Sequence, residues 1–168
     1  MTSTKISAVI SDADVLIDYV RAAKSVLEIM AKQMWDVHVP SAIIDEVDEL
    51  SLTEARKMGL ILYEPTIDEL TEAAVRGGPL SERDKLCFCI ARNNGWACLT
   101  NDGLLRKRCR GENVQVIWGL EALRILYEHD ILSMLKAIDT AWAIHRVNPH
   151  YIHADLVQEF VVSMEEND

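Results

Sequence analysis

The sequence predicts an α/β fold: a three-layer α/β/α arrangement with a central parallel sheet, carrying a helical extension at its C-terminal end. Two observations predict it. Up to Trp118, short apolar runs alternate with segments whose apolar residues recur at helical spacing, which is the signature of strands and helices taken in turn. From Gly119 onward only the helical spacing continues, broken at Pro149. Residues 1–168 therefore read as a single domain, with a core of about 5–130 and a helical extension of about 131–168.

The elements follow in order. Residues 5–10 (KISAVI) form a strand ending at Ser11-Asp12, and Val15, Leu16 and Tyr19 then take up helical spacing. Val26, Leu27, Met30 and Met34 mark one face of a further helix, after which Trp35, Val37 and Val39 alternate as a strand. Pro40-Ser41 opens a helix through residues 41–50 (SAIIDEVDEL), and LILYE forms a short third strand closed by Pro65. Residues 67–75 are helical, with Leu70, Ala73 and Ala74 turned inward, and Gly77-Gly78-Pro79 stops them. Ser81 caps the strongest helix, SERDKLCFCIARNNG, which ends at Gly95 and buries Leu86, Cys89 and Ile90. A fourth strand (WACLT), a basic helix (GLLRKRCRG) and a fifth strand (VQVIW) complete the alternation.

Composition narrows the function classes. Seventeen Lys and Arg against 27 Asp and Glu give a charge of −10, so the molecule repels polyphosphate unless a metal or a local basic patch intervenes. The longest stretch free of charged residues is 93–101, far short of a membrane span. Residues 1–15 reach acidic positions before any signal-like apolar stretch, so a cytoplasmic protein is expected. Cys87, Cys89, Cys98 and Cys109 lack C-x-x-C pairing and read as reduced, small apolar residues. Of five scattered histidines only His150 and His153 share a helical face, which is thin evidence for a metal. Trp35, Trp96, Trp118 and Trp142 lie in apolar patterns and read as core, offering no base-stacking platform.

Four acids stand at matching places. Asp12 and Asp102 follow the first and fourth strands, at the carboxyl edge where open parallel sheets bind ligands. Glu46, on the helix after the second strand, and Asp84, at the start of the strongest helix, can reach the same edge. Clustered carboxylates are costly without a cation. Their hard oxygens select Mg²⁺ or Mn²⁺, which can hold a phosphodiester and activate water. Arg106, Lys107, Arg108 and Arg110 follow closely and could track RNA phosphates.

At these residues the sequence resembles the PIN-domain ribonucleases, especially the VapC-type toxins. The resemblance rests on SDADVL after a strand, Glu46 in PSAIIDEV, Asp84 in LSERDKLCFCIARNNG and Asp102 in LTND, and covers residues 6–116. It implies a Mg²⁺- or Mn²⁺-dependent endoribonuclease, commonly dimeric and silenced by an antitoxin. By position, Asp12, Glu46, Asp84 and Asp102 would be the acidic catalytic and metal-holding cluster, with Thr100 and Asn101 hydrogen-bonding beside it. Asp14 departs from the family, which often has Asn there; it would add a fifth carboxylate or hydrogen-bond the loop. An acidic pocket of this kind also attracts an Arg or Lys from a basic-tailed partner protein.

Two other enzyme classes fit less well, and a non-catalytic module of the same fold is the third alternative. A haloacid-dehalogenase-type phosphatase would use Asp12 as nucleophile and Asp14 as general acid. It wants Thr or Val where Leu16 stands, and a loop lysine where only helical Lys85 is near. A receiver domain needs an Asp and a Lys where Glu64-Pro65 and Trp118-Gly119 lie.

Overall fold

The computed structural model describes residues 5–167. Residues 1–4, part of the stretch read for a targeting signal, and Asp168 lie outside the described residues. Five parallel strands form one sheet in the order β3-β2-β1-β4-β5: β1 (Ala8–Ser11), β2 (Asp36–Pro40), β3 (Ile61–Tyr63), β4 (Ala97–Leu99) and β5 (Val116–Ile117). The register pairs Val9 with both Val37 and Ala97, and Ser11 with Leu99. Val9, Ile10, Val37, Val39 and Leu99 are fully buried. Each such side chain contributes about 1.5–3 kcal/mol relative to an exposed one.

Helices cover the sheet: α1 (Ala13–Gln33), α2 (Ser41–Ile44), α3 (Leu52–Lys57), α4 (Ile67–Val75), α5 (Glu82–Asn94), α6 (Gly103–Gly111), α7 (Gly119–Glu128), α8 (Met134–Val147) and α9 (Ala154–Glu165). The three-layer α/β/α expectation holds. The two helical patterns before β2 are joined in α1 through a kink at Ala23. α5 is buried along its length from Lys85 to Ala91. It ends on Gly95 at φ +68, whose N–H reaches the carbonyls of Ala91 and Arg92. All four cysteines are buried and free, as the sequence suggests.

The C-terminal helices belong to the same core. α8 packs along α1, and Ala137, Ala141, Ile144, Val157, Phe160 and Met164 join the hydrophobic cluster that includes the sheet. No helix among the described residues is long and apolar enough to cross a membrane.

Two elements depart from the sequence reading. The helix expected over 41–50 stops at Ile44, and Glu46 sits in the turns that follow. Asp45, Glu46, Asp48 and Glu49 would crowd like charges at a helix C-terminus, where the helix dipole also disfavours anions. The chain folds instead into successive turns that bury Val47 and Leu50 and restart at α3, capped by Ser51. In α4 the inward face is shifted: Ala73 is buried as expected, but Glu69 is buried beside it, whereas Leu70 and Ala74 are exposed with Ile67 and Val75.

Polar chemistry causes this shift. The Glu69 carboxylate accepts from the Thr66 N–H at 2.9 Å and the Tyr63 hydroxyl at 3.0 Å, closing a capping box. Two turns on, Arg76 lies 4.5 Å over the Phe88 ring and pairs with Glu72 and Glu112. These partly buried, charge-assisted contacts outweigh the burial of one leucine.

Candidate functional site at the sheet's switch point

In the observed strand order the chain proceeds to one side from β1 and to the other from β4, so a crevice opens between the carboxyl ends of these two strands. Asp12 and the segment Thr100-Asn101-Asp102 lie there. The Asp12 N–H donates to the Leu99 carbonyl at 3.1 Å, and the Thr100 N–H to the Ile117 carbonyl at 3.0 Å, extending the ladders into the loops.

Each acid is anchored by its own element. Asp12 is the N-cap of α1: one carboxylate oxygen accepts from the Val15 N–H at 2.9 Å and the other from the Thr100 hydroxyl. Asp102 caps α6, accepting from the Leu105 N–H at 2.7 Å, while its own N–H donates to the Thr100 hydroxyl oxygen at 3.0 Å. Thr100 thus links the two strand-end aspartates. Asp84 accepts from the Ser81 hydroxyl at 2.8 Å in the first turn of α5. Glu46 is ion-paired with Arg83.

Electrostatics shows that the aspartates sense one another. Burial pushes the Asp12 carboxyl up to about 7, with Asp14 and Asp84 adding to the rise and the Thr100 and Val15 bonds opposing it. Asp84 is raised by desolvation and by Asp102 and Asp14. Asp14 is raised by partial desolvation and by Asp102. A cavity of about 450 Å³ is walled by Asp14, Ile43, Glu46, Ser81, Arg83 and Asp84. A second, of about 500 Å³, also reaches Asp14 and meets Asp102, Asn101 and Arg106. Asp14, for which the sequence left open a fifth carboxylate or a loop hydrogen bond, lines both. Asp12 lies beneath, 2% exposed.

The donor chemistry suits a hard cation, because the charged groups of the first cavity are mainly carboxylates: Asp14, Glu46, Glu82 and Asp84 against Arg83. The side chains do not converge: among the described residues no group of three or more His, Cys, Asp or Glu is arranged to hold a metal ion. The reason is local. Each predicted ligand spends an oxygen on a helix cap, a serine or an arginine, and like charges resist closer approach. His150 and His153, expected to share a helical face, lie exposed in the turn between α8 and α9.

Asn101 accepts from the Gly119 N–H at 2.9 Å, and the Tyr19 hydroxyl donates to the Gly119 carbonyl at 2.5 Å, fixing the start of α7 to the loop and to α1. The basic residues of α6 are divided. Arg106 lies 3.7 Å over the Trp118 ring at the second cavity, whereas Lys107 and Arg108 face the loop of Pro79 and Leu80 on another side, and Arg110 is exposed. Trp35 is core and Trp96 and Trp142 pack against it, but Trp118 is half-buried and lines the second cavity, against the expectation of a core position. Lys85 is buried and pairs with Glu82 at 3.4 Å.

The sequence reading passed over Asp18, Asn148 and Tyr151, which line the second cavity. The Asn148 amide donates to both Asp18 oxygens, at 2.9 and 3.2 Å, and burial raises the Asp18 carboxyl to about 6. No local pattern announces a site built by residues 130 positions apart. No family model matches this chain, and no curated protein matches it.

Proposed function

We propose that the protein is a divalent-metal-dependent endoribonuclease of the PIN-domain type, hydrolysing RNA phosphodiesters in the cytoplasm as the toxin of a toxin-antitoxin pair. The observation that carries this reading is the placement of Asp12, Asp14, Asp84 and Asp102 around the switch-point crevice, where burial and acidic neighbours hold the carboxyls of Asp12, Asp14 and Asp84 above the ordinary range. An isolated acid in a cap needs no neighbour; four mutually repelling ones favour a cationic ligand. Mg²⁺ or Mn²⁺ held by these carboxylates, with Glu46, would supply charge neutralisation for phosphate and a more acidic water.

The chain's own residues have definite roles in this scheme. Thr100 orients Asp12 and the Asp102 backbone, Asn101 holds α7 against the site, and Asp14 meets ligand at the mouth. Arg106 meets RNA beside the acidic rim, while Lys107, Arg108 and Arg110, on the other sides of α6, draw the strand toward it from a distance. The partners are RNA, a second copy in a homodimer, and an antitoxin whose basic tail competes for the carboxylates.

Incubation of purified protein with structured and single-stranded RNA, with Mn²⁺ or with EDTA, tests the reading. Mn²⁺-dependent cleavage that disappears in Asp84→Asn is the expected result. Full cleavage in EDTA, or none in either condition, refutes it.

A further inference from the structure

The second cavity is built differently from the acidic pocket that it adjoins. Its walls come from α1, the loop of Asn101 and Asp102, Trp118, and the turn between α8 and α9. Its volume of about 500 Å³ is within the range of small-ligand sites. Two features are hard to explain by folding alone. Arg106 is stacked on Trp118 with its Nε buried and unpartnered by any hydrogen bond, so the guanidinium contributes a flat cationic plane rather than an ion pair. Tyr151, 74% exposed, lines the cavity with only the His150 ring as an aromatic neighbour among the described residues, at 5.1 Å. The double hydrogen bond from Asn148 to Asp18 pins this turn against α1 and keeps Tyr151 over the groove.

We propose that this groove is a nucleobase subsite: it receives one base of single-stranded RNA beside the scissile phosphate, stacked on the Arg106–Trp118 plane and on Tyr151. The proposal rests on the ribonuclease reading and deepens it. Asp14 and Asp102 belong both to the groove and to the acidic crevice, so a nucleotide whose phosphate approaches the crevice has its base within reach of the groove. Planar guanidinium and aromatic surfaces are the stacking partners that unpaired bases use. The carboxylates of Asp14 and Asp18 disfavour a phosphate inside the groove, and the exposed Asp14 accepts hydrogen bonds from the donor edge of a base. The groove thus selects bases over backbone.

The test is binding, read by fluorescence anisotropy of a labelled twelve-nucleotide single-stranded RNA, with an abasic ribose-phosphate strand of equal length as control. Ca²⁺ replaces Mn²⁺ in the binding buffer, and cleavage is followed separately with Mn²⁺. Tyr151→Ala should weaken RNA binding about tenfold, the loss expected for one stacked base, and leave binding of the abasic strand unchanged. Arg106→Lys, which keeps the charge and removes the plane, should act in the same direction. Both variants should melt with the wild type.

Wild-type protein that cleaves RNA while both variants bind it undiminished overturns the subsite and leaves the nuclease reading standing. Equal weakening of the RNA and abasic strands also overturns it, since the loss would then be one of phosphate contacts. A wild type that neither binds nor cleaves RNA overturns both, and points to a protein ligand in the groove.

Discussion

Thr100 donates its hydroxyl proton to the buried carboxylate of Asp12 across the junction of β1 and β4, and accepts the Asp102 N–H with the same oxygen. One hydroxyl therefore sets two of the acids. Thr100→Val keeps the shape and removes both bonds, leaving a buried carboxylate short of a donor. A loss of about 1–3 kcal/mol is expected in urea unfolding, together with a large fall in RNA cleavage. Asp12→Asn should abolish cleavage with stability at pH 8 equal or higher, because it retains an acceptor for the Val15 N–H and removes a buried charge. Wild-type cleavage by Asp12→Asn would exclude Asp12 from the chemistry.

Raised carboxyls make the fold's stability depend on pH in a definite sense. Asp12 near 7 and Asp18 near 6, against 3.8 ordinarily, mean that the folded chain holds protons that the unfolded chain releases. Their stabilising contribution is complete below about 4 and lost as pH rises through 6 and 7. For Asp12 the difference is on the order of 4 kcal/mol. Melting temperature without divalent ions should rise from pH 8 to pH 5. Below pH 4 the opposite trend enters, since Glu72 and Glu112, held low by Arg76 and Arg92, lose their charge. Asp18→Asn should remove the part centred near 6, and a flat profile from pH 8 to 5 would show that neither carboxyl is raised.

Arg83 holds Glu46 at the rim of the first cavity. Arg83→Ala frees that carboxylate and removes a cation competing for the pocket. The variant should bind Mn²⁺ more tightly, seen as a larger metal-induced rise in melting temperature than in the wild type. Alanine at Asp12, Glu46, Asp84 and Asp102 together should abolish the rise. If millimolar Mg²⁺ and Mn²⁺ leave the wild-type melting curve unmoved, the carboxylates do not form a metal site.

The shifted face of α4 gives a stability contrast that the sequence pattern would assign the other way. Leu70→Glu lies outside and should change stability by less than about 0.5 kcal/mol. Glu69→Ala removes the capping-box acceptor and the partner of Tyr63, and should cost about 1–2 kcal/mol. Chemical denaturation of the two variants reads the contrast directly.

The sequence carried the alternation of strands and helices plainly, because each strand is a short apolar run closed by an acid, a proline or a glycine. Asp12 and Asp102 were legible for the same reason: a carboxylate directly after a buried strand has few places to go. Glu46 was legible in position but not in context, since charge crowding ended α2 before reaching it. Leu70 misled because apolar spacing marks a face but does not say which side a competing ion-pair network will claim. Asp18, Asn148 and Tyr151 left no local trace; they meet only when α8 and its following turn close on α1.

That closure also orders events during synthesis. α1, with Asp12 and Asp14 at its start, leaves the ribosome long before α8, which covers it, and Asn148 meets Asp18 across 130 residues of chain. The core around α1 stays incomplete until α8 has emerged. A nascent chain stalled before α8 would leave the face of α1 that carries Asp18 uncovered, and the second cavity without its Asn148 wall.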